Sequence, residues 1–179
     1  MRQKRYDKSF ILNGAYKLVK KKGFSSLTAR DIAKELSIST QPIYIEFKNM
    51  KALRDELLIY TFMGIQENYF NTNNTLEEFI KNVLSFINDD NELYLSLLSE
   101  RAFLVQLANC LYELYCENSE TVQRFKNEED RRFSFIMLVS MATAACYVGE
   151  KKPDEESDYL NRMNQLVKND LFLSFFLFS

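Results

Sequence analysis

Four glycines and two prolines are spread over 179 residues, so the chain holds few of the residues that make tight turns. A β-sandwich needs such a turn about every 8–12 residues. Long helices satisfy this scarcity best, and nowhere do β-branched residues alternate with polar ones over a useful length. With 46% apolar and 27% charged residues the chain is not a disordered tract. The expected fold class is all-α.

Helical periodicity begins at once. Ile11, Leu12, Ala15, Leu18 and Val19 form one stripe, predicting a helix over about 7–22 with Lys20, Lys21 and Lys22 at its C-terminal end. Gly23 and Phe24 fit a Schellman ending. Thr28, with Asp31 three residues on, predicts an N-cap and a short helix through Leu36 whose buried face is Ile32, Ala33 and Leu36. Ser37-Ile38-Ser39 reads as a tight turn. Ser39 then caps a third helix with Pro42 in its first turn, Ile43 and Phe47 facing inward, and Thr40, Gln41, Tyr44 and Ile45 facing out. Asn49 caps a fourth helix carrying Leu53, Leu57 and Leu58 and ending near Phe70. Thr75 to Glu78 is a capping signal for a helix to about Ile87. Further helices are expected over about 92–117, with a break near Ser99, over about 120–149, and from Asp154 through Lys168. These boundaries divide the chain into a head at 1–50, a connecting helix at 51–70 and a helical body at 71–179.

Charge separates along the same line. Lys and Arg number 23 against 25 Asp and Glu, a net of −2, yet residues 1–60 hold 13 basic and 6 acidic residues, a net of +7, which leaves −9 for the rest. A basic head on an acidic body is the pattern of a protein whose head meets phosphate. Histidine is absent, which removes histidine-based nucleophile pairs, general bases and metal ligands. With no acid–base pair or Gly-rich phosphate loop standing out either, no enzyme, metal site or cofactor is expected. Cys110, Cys116 and Cys146 have neither zinc-site spacing nor an even count, and are expected as buried thiols of a cytoplasmic protein. The residues after the charged start, Met1 to Lys8, are interrupted by Asn13, Lys17 and Lys20, which does not suit a signal peptide. The longest apolar candidate, Ile136 to Gly149, is too short to span a membrane.

Two short helices joined by a tight turn, the second presenting small polar and aromatic residues outward, predict a helix-turn-helix, whose second helix lies in the DNA major groove. Between Phe10 and Leu58 the chain carries Gly23-Phe24, the run Leu27 to Ala33 with its threonine cap, Leu36, Ile38-Ser39, Ile43-Tyr44, Phe47-Lys48-Asn49 and Lys51-Ala52-Leu53. In their order and spacing these resemble the DNA-binding domain of the TetR (tetracycline-repressor-like) family. The resemblance implies an N-terminal three-helix helix-turn-helix domain and a larger helical ligand-binding and dimerisation domain. It implies DNA-binding residues at Thr28, Arg30, Ser39, Thr40, Gln41, Tyr44, Ile45 and Lys48. Within this set, Gln41 suits adenine, Ile45 suits a thymine methyl, and Tyr44 and Lys48 suit phosphates. Arg2, Lys4 and Arg5 would form a basic arm. Pro42 and the pair Ile45-Glu46 depart from the family's commoner residues and leave the bases open.

The implied partners are a double-stranded DNA operator, a second copy of the chain, and a small-molecule effector of apolar or cationic character held in the body. Phe86, Tyr94, Phe103, Tyr112 and Glu113 are the ligand-binding candidates, although aromatic residues at helical spacing more often build the core. The family's dimer interface is matched in position by the helix from Ile136, rich in Ser140, Ala142, Ala144 and Ala145, together with the last helix. The apolar tail Leu171 to Phe178 needs a surface within the body or across the dimer. The functional expectation is a dimeric repressor released from a palindromic operator by its ligand. The alternative is a helical adaptor whose N-terminal module docks a protein.

Overall fold

Local side chains start most of the helices. In the computed structural model, which describes residues 6–25 and 27–148 with side chains as far as Ala144, the Asp7 carboxylate accepts from the Phe10 amide at 2.8 Å and opens α1 (Lys8–Lys22). Thr28 opens α2 (Ala29–Glu35), and Asn49 opens α4 (Met50–Tyr69) by accepting from the Ala52 amide at 2.9 Å. Thr75 and Glu78 form a reciprocal capping box at α5 (Leu76–Asp89): Thr75 Oγ1 accepts from the Glu78 amide at 3.1 Å, and Glu78 Oε2 accepts from the Thr75 amide at 3.2 Å. Between α2 and α4 lies α3 (Gln41–Glu46). Beyond α5 come α6 (Asn91–Ser99), α7 (Arg101–Glu117), α8 (Ser119–Arg124) and α9 (Glu128–Val148). The described residues contain no strand, as the all-α expectation required.

Several expectations are corrected. The helix expected over 120–149 is two helices. Phe125 turns inward to 5% exposure, and the Arg131 guanidinium reaches back to the carbonyls of Phe125 and Lys126 at 2.8 and 3.0 Å, holding the chain out of helix between α8 and α9. The N-cap of α3 is Thr40 rather than Ser39, and it makes no side-chain cap bond, since Pro42 in the first turn already lacks one of the donors a cap would satisfy. Gly23 ends α1 at φ 73° and ψ 176°, a region open almost solely to glycine, and not in a Schellman turn. Leu36 is only half-buried, although its side chain lies where a Cβ on Gly14 would stand. Cys110 and Cys116 are half-buried rather than buried. The expected basic arm, the last helix at 154–168 and the apolar tail lie outside the described residues.

The chain forms two compact units. The first takes in the chain up to Asn71 together with Asp89–Leu111, so α6 and most of α7 join the head; the second comprises Thr72–Asn88 and the chain from Tyr112 on. In the first unit Ile11, Ala15 and Val19 of α1 are fully buried with Ile32, Leu53, Leu57 and Ile65, while Ile43 and Phe47 are buried behind α3. Helix α1 packs against α2, α4 and α6. In the second unit the rings of Phe79, Tyr112, Tyr115 and Phe135 form one cluster, with Phe79 and Tyr115 at 5.1 Å and Tyr112 and Phe135 at 5.2 Å. Asn118 joins its parts: its side chain caps α8 and donates to the Asn73 carbonyl at 3.2 Å.

The buried Tyr115 hydroxyl lies 2.7 Å from Ser134 Oγ, which itself donates to the Arg131 carbonyl at 2.9 Å, so the tyrosine is the donor. Burial pushes the Tyr115 phenol up to about 12. A phenol held neutral in the fold contributes stability that is full below the unfolded tyrosine value of about 10 and is lost as pH rises through the folded value. Denaturant titrations of the wild type and Tyr115→Phe should therefore differ by roughly 1 kcal/mol at pH 8, the worth of one neutral hydrogen bond, and the gap should narrow between pH 10 and 12.

Candidate nucleic-acid interface

The helix-turn-helix is held by a Schellman turn placed after α2. The Ile38 amide donates to the Ala33 carbonyl at 2.9 Å and the Ser37 amide to the Lys34 carbonyl at 3.2 Å, with Ser37 at φ 54°. Among the described residues Ser37 alone, apart from glycine, has a positive φ. This turn sets the angle at which α3 leaves α2. Buried Ile43 and Phe47 then fix which side of α3 faces the core. Gln41, Tyr44 and Ile45 fall at i, i+3 and i+4 on the other side, and Tyr44 and Ile45 are 52% and 64% exposed despite their large side chains. Ser39 is exposed and Thr40 half-buried where the turn meets the helix; Lys48 is exposed in the loop before α4; Glu46 is half-buried.

Thr28 and Arg30 are exposed at the start of α2. Thr28 Oγ1 accepts from the Asp31 amide at 3.2 Å and donates to the Asp31 carboxylate, a bond that holds Asp31 below the usual carboxylate range. Arg54 of α4 donates to the Leu27 carbonyl at 3.1 Å, anchoring the residue before this cap. The sequence gives no sign of that role for Arg54, because the contact spans 27 residues. Lys8 bonds Glu56 at 2.7 Å and stands 5.3 Å over the Phe47 ring, tying α1 to α4 behind α3.

The five ligand candidates divide between the two units. Tyr94 and Phe103 belong to the first unit and Phe86, Tyr112 and Glu113 to the second. Phe86 is fully buried and Tyr94 is 2% exposed. Phe103 packs its ring 5.1 Å from Phe24, Tyr112 carries the Arg132 guanidinium 5.2 Å over its ring, and Glu113 is exposed. Among the described residues no three His, Cys, Asp or Glu side chains gather as metal ligands, and no helix is long and apolar enough to cross a membrane.

Residues 11–57, which hold this entire constellation from Thr28 to Lys48, match the family model described as bacterial regulatory proteins, tetR family. Residues 11–57 therefore carry the likeness to the tetR family's N-terminal domain. The chain's fold is similar to a crystal structure of a TetR-family transcriptional regulator from Haemophilus influenzae, at 20% identity and a TM-score of 0.53, covering 87% of this chain and 93% of that one. A search of curated proteins gives no significant match. The family match is confined to the head, and over the helices beyond it the likeness is one of fold alone.

The turn carries its own test. A left-handed backbone costs a residue with a Cβ about 1–2 kcal/mol, and a β-branched side chain more than serine. Ser37→Val should therefore lower the thermal midpoint and Ser37→Gly should leave it equal or higher, as differential scanning calorimetry would read.

Proposed function

We propose that this chain, with its tetR-like N-terminal head, is a dimeric repressor that binds a palindromic operator and leaves it when a small molecule occupies the helical body. It acts by binding and not by catalysis. The observation that carries this reading is the exposure of Gln41, Tyr44 and Ile45 on a six-residue helix whose opposite side is pinned by Ile43 and Phe47. Large apolar or aromatic side chains held out in water on a rigid helix suit a surface with both methyl groups and phosphates, which the major groove offers.

In this reading Gln41 hydrogen-bonds adenine and Ile45 contacts a thymine methyl. Tyr44, Lys48, Thr28 and Arg30 hold phosphates, and Ser39 and Thr40 border the groove. Dimerisation is supported by the family's architecture and by α9, where Ile136 is 58% exposed and Ser140 and Ala144 are exposed along one line of the helix, small enough for close helix approach. The effector would be apolar or cationic, drawn to aromatic and acidic groups of the body such as Tyr112 and Glu113.

Selection of bound sequences from a random DNA pool tests the repressor reading directly: an inverted repeat should emerge, bound with steep salt dependence. Recovery of no sequence preference would overturn it. On the selected site, Lys48→Ala should weaken binding for every sequence and lower the salt slope by about one. Gln41→Ala should cost about 1–3 kcal/mol and relax preference at a single base pair. Fluorescence anisotropy at several salt concentrations separates the two effects.

A further inference from the structure

We propose that Asp90 is a positioning residue for operator recognition: its carboxylate fixes the orientation of the DNA-binding head by joining α1, α4 and α6. The inference rests on the dimeric repressor reading. Asp90 is 5% exposed and directly precedes α6. Its Oδ1 lies 2.9 Å from Lys20 Nζ, near the end of α1, and its Oδ2 accepts from the Tyr69 hydroxyl, on the last residue of α4, at 2.8 Å. Both oxygens are thus engaged by groups from separate elements. A buried carboxylate must keep such partners, because losing one leaves charge or a polar atom stranded out of water.

A second joint lies nearly two helical turns further along, at Ser96 of α6. Ser96 Oγ accepts from the Phe24 amide at 2.6 Å, and a Cβ on Gly23 would meet the Ser96 Cβ and Oγ at 2.7 Å, so the backbone after α1 sits directly on α6. Phe24 also packs its ring against Phe103 of α7. Two directional joints, at Lys20 and at Phe24, fix both the distance and the rotation of α1 about α6. One joint would leave a hinge. Helix α1 in turn packs against α2, and Lys8 near its start bonds Glu56 of α4, so the orientation given to α1 passes to the helix-turn-helix.

Orientation matters for a two-headed protein in a way it does not for one head. A single head meets a half-site by its own surface, whatever holds it. The gain from a second head depends on the effective concentration at which the protein presents it, and that concentration falls as the head becomes free to rotate. Loosening the Asp90 joint should therefore reduce the preference for two correctly spaced half-sites while sparing recognition of one.

The test compares two duplexes: the inverted repeat selected from the random pool, and the same duplex with one arm scrambled. For the wild type the full site should bind at least tenfold more tightly than the half site. Asp90→Asn should reduce that ratio by roughly tenfold with half-site affinity changed less than twofold. Tyr69→Phe, which deletes a single hydroxyl and keeps the ion pair, should reduce it by a smaller factor and stands in if Asp90→Asn does not fold by circular dichroism. A variant that folds, dimerises and keeps the wild-type ratio would overturn the proposal while leaving the repressor reading intact. A wild type with no preference for the full site would overturn the repressor reading, and the positioning role with it.

Discussion

Burial of one face of α1 is the constraint on which the first unit depends. Ile11, Ala15 and Val19 have no exposed surface, and the helix that carries them touches α2, α4 and α6. Burying a single isoleucine is worth about 1.5–3 kcal/mol. A shared stripe of this kind makes the short helix α2 possible, since seven residues cannot hold a helix alone in water. Gly14 belongs to the same constraint, because the Leu36 side chain at the end of α2 fills the place of its missing Cβ.

The charge asymmetry acquires a different meaning once contacts are known. The head's surplus of seven positive charges is not all directed at DNA. Lys20 pairs internally with buried Asp90, and Lys8 with Glu56. The pair at Asp90 has its carboxylate buried and is directional, whereas the exposed Lys8 pair is worth at most about 1 kcal/mol. Lys48 and Arg30 remain exposed at the two ends of the helix-turn-helix, where phosphate would approach a helix laid in the groove.

Features that depend on neighbours in sequence were legible there. Thr28, Asn49 and the Thr75–Glu78 box each act over three residues, and each caps the helix that its spacing predicted. The inward positions of Ile43 and Phe47 follow from a four-residue repeat. The outward residues of α3 follow by geometry, which is why the candidate interface could be drawn from the head's sequence alone. The Ser37 turn was legible as a turn but not as the Schellman ending, because serine is an unusual occupant of that conformation and Gly23 was the more obvious one.

What escaped the sequence acts over distance. The break after α8 depends on a buried Phe125 and on Arg131 reaching back to its carbonyl, and the one local signal there is Asn127, which accepts from the Glu129 amide at 2.8 Å as α9 begins. Asp90 stands within a run of polar residues that reads as a simple interruption between helices, yet its partners lie 70 and 21 positions away. The aromatic residues divide between two units because only packing decides which ring meets which. Sequence alone determined the helical class, the caps and the face that α3 turns outward, since those are set by rotation within a helix. Tertiary structure decided that α6 belongs with the head, because a buried carboxylate takes its partners from wherever the folded chain brings them.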